Sequence, residues 1–278
     1  MDKLSLNAPA KINIGLNIVS KRDDGFHNLE TFFYPIYDLF DTLTFERNDN
    51  FIFDSNNTDL CKDHNNLVIK AHSLIEQYIS KNLPLRVTLH KNIPIGAGMG
   101  GGSSDAAATL LGLNEFFKLS IPPDVMKTLA LDLGSDVPFF ILSKPSVGLC
   151  RGEILHQSNL HIDKPILIVN PGIHISTKEA FSAINPRVPD FNYNYFVDTK
   201  EIDYGFISQS VTNDFENSIF SEYEEIKEIK NIMLSSGSVF SLMSGTGSTV
   251  YGIFENMESA ENAASKMPAD YFKFISKS

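Results

Sequence analysis

Five glycines crowd into seven positions, Gly96 to Gly102, within Pro94-Ile95-Gly96-Ala97-Gly98-Met99-Gly100-Gly101-Gly102-Ser103-Ser104-Asp105. Glycine inside regular structure costs about 0.5–1 kcal/mol relative to alanine, and a plain turn needs far fewer. What such a run permits is positive φ and close backbone approach, so that successive N–H groups form an anion nest. The Ala-rich stretch Ala106-Ala107-Ala108-Thr109-Leu110-Leu111 reads as a helix just behind it, with Ser103, Ser104 and Asp105 as N-cap candidates. The positive end of that helix would add to the nest, and the natural ligand is a polyphosphate. Two further residues could do chemistry on a phosphoryl group. Lys11 lies among small and polar neighbours in Ala8-Pro9-Ala10-Lys11-Ile12-Asn13, and Asp136 lies on the turn Gly134-Ser135-Asp136-Val137-Pro138. A lysine on a strand is ordinarily solvated, and an Asp before Val-Pro also reads as a turn or capping residue.

The elements that must position these residues follow from periodicity. Ile12, Ile14, Leu16 and Ile18 alternate with Lys11, Asn13, Gly15 and Asn17. That predicts a strand with one apolar face, with Lys11 and Asn13 on the other. After the turn Arg22–Gly25, strands are expected over Thr31–Ile36 and Thr42–Glu46, then a polar loop Asn56–Asn66. An amphipathic helix is expected over Leu67–Ile79 and a strand over Leu85–His90. Beyond the glycine run a helix is expected over Asp124–Leu133. The second half predicts a strand Pro165–Val169, a short helix Thr177–Ile184, a long surface loop Asn185–Lys200 and a helix Phe215–Ser235. Strands Val239–Met243 and Thr249–Phe254 flank Ser244-Gly245-Thr246-Gly247-Ser248, and a helix Met257–Lys266 follows. The mixture is α/β or α+β, and a division at residues 1–155 and 156–278 is expected.

Composition narrows the partners. The chain has 278 residues, 42% of them hydrophobic and 21% charged, with a formal net charge of -11. Such a surface disfavours nucleic acid and anionic membrane, so a phosphate ligand would need the dedicated cradle described above. Cys61 and Cys150 belong to no metal-binding or redox spacing and read as inert thiols in a reducing compartment. No signal peptide is expected, and no apolar run approaches the roughly 20 residues that a membrane helix needs. A soluble, cytoplasmic protein, a monomer or weak homodimer, is expected.

Among known phosphate loops, Gly96-x-Gly98-x-x-Gly101 formally fits the dinucleotide fingerprint, but a glycine run meets that pattern cheaply. No Gly-Lys pair exists for a Walker A loop, and the protein-kinase signatures are missing. The segment Pro94 to Asp105 instead resembles the central motif of the GHMP small-molecule kinases. Ala8–Asn13 is similar to that family's first motif and Ser244–Ser248 to its third, in the family's order and spacing across nearly the whole chain. Arg22-Asp23-Asp24-Gly25-Phe26-His27, Asn65-Asn66-Leu67-Val68 and Gly134–Phe139 resemble one branch, whose substrate is a cytidine diphosphate alcohol. Phe26 stands where the family commonly has Tyr, Ser244 where Thr is frequent, and Ser248 where Ala is frequent.

The resemblance implies an α+β, two-domain fold: an N-terminal mixed α/β domain like ribosomal protein S5, a C-terminal α/β sandwich, and an active site in the cleft between them. It implies ATP as phosphoryl donor, with Mg²⁺, held by Pro94 to Ser104 (Pro94, Ile95, Gly96, Ala97, Gly98, Met99, Gly100, Gly101, Gly102, Ser103, Ser104), with Ser104 as a metal contact. Asn66 and Leu67 would contact adenine; without the family they read as a helix N-cap. Asp136 would be the catalytic base, abstracting the proton or steering the hydroxyl, and Lys11 would keep it charged. Phe26 and Phe181 would sandwich the cytosine, His27 would hydrogen-bond its edge, and Asn13 and Thr177 would contact the rest of the substrate. Read without the family, Phe181 is equally a core aromatic and His27 a surface histidine. Other readings are a homoserine- or mevalonate-type kinase, a non-catalytic nucleotide-binding module and a dinucleotide-dependent oxidoreductase.

Overall fold

The computed structural model of the protein describes residues 2–277. In chain order its elements are β1 (Lys3–Lys21), β2 (His27–Arg47), β3 (Ile52–Ser55), α1 (Thr58–Lys62), α2 (Leu67–Ile79), β4 (Leu85–His90), α3 (Gly101–Phe116), α4 (Pro123–Leu133) and α5 (Val137–Leu142). There follow β5 (Ser146–Cys150), β6 (Ile154–Gln157), β7 (Ile166–Asn170), α6 (Thr177–Ser182), α7 (Tyr195–Asp198), α8 (Tyr204–Ser210), α9 (Glu216–Glu222) and α10 (Glu224–Ser235). The chain closes with β8 (Ser238–Met243), β9 (Val250–Phe254), α11 (Met257–Ser265) and β10 (Phe272–Ser276). The fold is α+β, as expected.

Two compact units share the chain, and neither is one continuous stretch. The first contains the residues up to Ala10, Leu39–Ile95 and Gly100–Ser143; the second contains Lys11–Asp38, Gly96–Met99 and the chain from Lys144 onward. Strands β1 and β2 therefore each contribute to both, and so does the glycine run.

In the first unit the later half of β2 pairs antiparallel with β4, from Thr42 opposite His90 to Arg47 opposite Leu85. β3 adds in parallel to the other edge of β4. Helix α3 packs against α2, α4 and α5, and its run of small residues lets neighbours come close. Gly112 marks the closest approach: a side chain there would run into the ring of Phe45. Leu43, Phe45, Leu85, Val87, Val68, Ile75, Leu110 and Leu113 form the apolar interior. Burying each removes about 1.5–3 kcal/mol worth of apolar surface from water.

In the second unit β10, β7, β9 and β8 form an antiparallel sheet in that order. Helices α10 and α11 pack on it, and Ile226, Ile229, Met233, Ala260 and Ala263 meet Val169, Val250 and Phe254. The same unit holds the start of β2, which pairs with β5, itself paired with β6.

Several local expectations give way to packing. The two strands anticipated over Thr31–Glu46 are one, β2. The polar loop Asn56–Asn66 contains α1. The helix anticipated over Phe215–Ser235 is divided at Tyr223, whose backbone leaves the helical region. Helix α5 and strands β5, β6 and β10 were not anticipated. The expected surface loop Asn185–Lys200 carries α7 and buries Phe191, Tyr193 and Phe196. Its rings explain the largest correction. The polar side of β1 is not solvated: Lys11 is 3% and Asn13 2% exposed. Gly15, at φ 82°, lies under Tyr193, whose hydroxyl donates to Asn17 Oδ1 at 2.9 Å. Both faces of this strand are covered, so a period-2 pattern cannot tell which one meets water.

Candidate functional site

The glycine run takes left-handed backbone at alternate positions, with φ 65° at Gly96, 76° at Gly98 and 69° at Gly100. Only glycine adopts this repeatedly at little cost, and such alternation produces an amide nest. Helix α3 begins within the run, at Gly101, and its N-cap is Gly100, which supplies no side-chain acceptor. Ser103, Ser104 and Asp105, expected as caps, lie inside the first turns of the helix instead. An uncapped helix start beside a glycine nest has the backbone geometry and dipole to receive an anion.

The part of the run in the second unit is held from behind through its carbonyls. Lys11 Nζ donates to Gly98 O at 3.0 Å, and Ser244 Oγ donates to the same oxygen at 2.9 Å. Lys11 N donates to Met99 O at 3.0 Å, and Thr249 N to Ala97 O at 3.3 Å. A side chain at Gly98 would strike the Ser244 carbonyl, so the first glycine of this pair of turns cannot be replaced without moving the other. Lys11 also donates to Asn13 Oδ1. Asn13 donates to Thr31 Oγ1 at 2.8 Å, and its backbone N–H to Ser244 Oγ at 3.2 Å. First and third motifs, 231 residues apart, thus meet at one buried polar cluster.

The part in the first unit sits on different supports. Asn66 is buried and caps α2 by accepting from Val68 N at 2.8 Å. The Leu67 side chain approaches Gly102. Ile95 is exposed beside Pro94. Ser104 is buried, and its Oγ has no hydrogen-bond partner among the described residues. Asp136 stands at the N-cap position of α5, where Pro138 occupies the first turn. Lys91 is buried between Asp41 and Asp105, donating to both, at 2.8 Å to Asp105 Oδ2. Asp41 Oδ1 in turn accepts from Asn92 N at 2.6 Å and Ile93 N at 2.9 Å. Burial pushes the Asp105 carboxyl up to about 7, with Asp41 adding to the rise and Lys91 opposing it. Burial works against the Lys91 charge, yet the two carboxylates hold its pKa above the usual lysine value.

The aromatic candidates lie in the second unit. The His27 and Phe181 rings are 5.2 Å apart, and Phe181 also makes an edge contact with Phe215. Phe181 is partly buried against the core of the second unit. Burial, with Lys21 adding, pushes the His27 imidazole down, favouring a neutral ring that can donate and accept at once. Phe26 is 47% exposed, and the Arg151 guanidinium lies 3.7 Å from the centre of its ring. The exposed Thr177 hydroxyl is 3.4 Å from that of Thr246. Both cysteines are free, Cys61 exposed and Cys150 half-buried.

Residues without a motif of their own turn out to shape the site. Asn213 donates to Met243 O and Gly245 O, both at 2.8 Å. Asn170 donates to Ser248 Oγ at 3.1 Å and Thr249 Oγ1 at 3.0 Å. Tyr251 OH donates to Asn13 O at 3.0 Å. Lys91, Arg151 and these three were not singled out in the sequence. Asn213 alone left a local hint, a polar residue two positions before Phe215, where a helix was expected to start. Among the described residues no group of three or more His, Cys, Asp or Glu could hold a metal ion, and no helix is long and apolar enough to cross a membrane.

Comparison with known proteins gives the chain a family. The profile of the GHMP kinases N terminal domain matches residues 66–144, and that of the GHMP kinases C terminal domain matches residues 198–273. A protein of Chlorobium phaeobacteroides named 4-diphosphocytidyl-2-C-methyl-D-erythritol kinase is 39% identical over 95% of this chain and 93% of its own. One of the same name from Bacteroides fragilis is 39% identical over 90% of this chain and 91% of its own. A crystal structure of 4-(cytidine 5'-diphospho)-2C-methyl-D-erythritol kinase superposes with a TM-score of 0.82 at 31% identity, covering 98% of both chains. A homoserine kinase from Cytophaga hutchinsonii shares the fold, with a TM-score of 0.73 at 13% identity over 99% of this chain and 94% of its own. The chain belongs to the GHMP kinase family, among its 4-diphosphocytidyl-2-C-methyl-D-erythritol kinases.

Proposed function

We propose that the protein transfers the γ-phosphoryl group of ATP to the 2-hydroxyl of 4-diphosphocytidyl-2-C-methyl-D-erythritol, giving ADP and the 2-phosphate, a step of the non-mevalonate route to isoprenoid precursors. The observation that carries it is the pinning of Gly98 by Lys11 and Ser244 three residues before the uncapped start of α3 in the chain. With the loop carbonyls engaged from behind, a polyphosphate meets backbone N–H groups. Phosphoryl transfer needs in-line positioning and stabilisation of spreading negative charge more than covalent chemistry, and a rigid amide nest supplies that. The identity of the alcohol rests on the relatives and on the aromatic pair His27 and Phe181.

In this reading Pro94 to Ser104 hold the phosphates, and Asn66 and Leu67 meet the adenine. Mg²⁺ would accompany ATP and screen its phosphates, and Ser104, whose buried Oγ has no hydrogen-bond partner among the described residues, would be the residue to hold it. Asp136 accepts the hydroxyl proton or aims the hydroxyl, and Lys11 favours the charged carboxylate and the developing alkoxide. Asn13 and Thr177 contact the middle of the substrate; Phe26, Phe181 and His27 take the cytosine. A functional division at 155/156 is part of the same reading, and the two family matches fall on either side of it.

The test is an ADP-release assay over a panel of alcohols, wild type against Asp136→Asn. Turnover is expected with the cytidine diphosphate alcohol and not with homoserine or mevalonate, and the variant should lose about two or more decades of kcat. Turnover of mevalonate or homoserine in its place would overturn the substrate assignment. Full activity in Asp136→Asn would remove the base.

A further inference from the structure

We infer that Arg151 is a positioning residue for the cytosine end of the substrate, acting through the ring of Phe26; the inference rests on the proposed function above. Phe26 follows a tight turn in which Arg22 N donates to Phe26 O at 2.8 Å and Gly25 takes φ 86°. Its own N–H donates to Asp24 Oδ1 at 3.1 Å, and Asp24 is clamped by Arg22 at 2.9 Å. The backbone of Phe26 is therefore fixed on both sides. Its side chain is not: the ring is largely outside the core and, lacking a phenol hydroxyl, has no polar rim by which a neighbour could orient it.

Arg151 supplies the missing constraint. It opens the three-residue link between β5 and β6, next to the Leu149–Ile154 pair. Cys150 before it is held at φ 61° and Gly152 after it at φ 103°. Gly152 N donates to Leu149 O at 2.9 Å, and Arg151 N donates to Glu153 Oε2 at 2.7 Å. On its other side β5 pairs with β2, placing Cys150 opposite Leu29, three residues past Phe26. A non-glycine residue in left-handed backbone is uncommon, and here it aims the next side chain back along the start of β2. The guanidinium then stacks on one face of the Phe26 ring at 3.7 Å from its centre. A planar guanidinium stacked on an aromatic face restricts the ring's rotation while contributing a cation–π attraction. The opposite face is the one a cytosine would use.

The experiment measures kcat and KM for the cytidine diphosphate alcohol at saturating ATP. Wild type must first turn the compound over; if it does not, the proposed function fails and Arg151 is not at issue. Arg151→Leu is expected to raise KM about 2–5-fold, the range of an exposed cation–π contact, with kcat within about twofold of wild type. In a Phe26→Leu background the same replacement should add nothing further. Arg151→Lys, which keeps the charge without the stacking plane, should fall between, and it serves as the readout if Arg151→Leu does not fold. An unchanged KM in Arg151→Leu and Arg151→Lys overturns the inference. So does an equal KM increase in the Phe26→Leu background, because Arg151 would then act on the substrate or on the turn itself.

Discussion

In the first unit, the chain entering the glycine run is anchored by charge: Lys91 sits between Asp41 and Asp105, and Asp41 grips the next two backbone N–H groups. In the second unit, the turn Ser244–Thr249 is anchored by neutral amides: Asn213 holds the carbonyls of Met243 and Gly245, while Asn170 holds the hydroxyls of Ser248 and Thr249. Both supports are buried, and both hold a segment that shapes the glycine run. They differ in what can disturb them. An amide presents a donor and an acceptor at any pH, whereas a buried ion triad depends on how many protons it carries. Two carboxylates around one ammonium leave an uneven charge, and the structure meets it by raising the Asp105 carboxyl towards neutrality.

The sharpest way to break the comparison is to remove the cation. Lys91→Met leaves two buried carboxylates without their cation, and removing one member of a buried ion group costs about 3–5 kcal/mol. Urea unfolding of the whole chain should show a loss of that size, and a loss under about 1 kcal/mol would mean that Asp41 and Asp105 find other support. Asn213→Ala is the matching change in the other unit. It strands two carbonyls and the Phe215 N–H, which donates to Asn213 Oδ1 at 2.9 Å. A loss of about 1–3 kcal/mol is expected, with the same value at pH 5 and pH 8, since no proton is involved.

The smallest effect is a slope. The native Asp105 carboxyl holds its proton up to about 7, while an ordinary one releases it near 3.8. Between those values the native state binds more protons than the unfolded chain, so the stability contributed by protonated Asp105 is present in acid and declines as pH rises from about 4 to about 7. Asp105→Asn has no such proton to lose. The Tm of the variant minus that of wild type should therefore rise across that window. A difference that is flat, or that falls with pH, would show Asp105 ionised throughout and the triad held by Lys91 alone.

How much of this was legible beforehand follows from the range of each interaction. Leu67–Ile79 and Leu85–His90 were anticipated to the residue, because an apolar stripe at helical spacing and a strict alternation are local patterns. The glycine run was legible for the same reason: five glycines in seven positions restrict the backbone wherever they fold. The burial of Lys11 and Asn13 was not, because the groups that engage them, Gly98, Ser244 and Tyr251, come from 87 to 238 residues further on. The triad was not, because Asp41 and Lys91 are separated by 50 residues and each alone reads as a surface charge. Arg151 on Phe26 was invisible too, since the contact exists only once β5 pairs with β2.

The sequence by itself determined the kind of chemistry: a loop of glycines before a helix, a lysine and an aspartate of the right types, and three motifs in order. Those depend on backbone freedom and side-chain identity, which neighbours in the chain supply. Only the tertiary structure decided which polar groups are buried, which hold the loop from behind and which ring is braced by which cation. Those are differences in desolvation and contact, and they arise when distant segments exclude water from the same place.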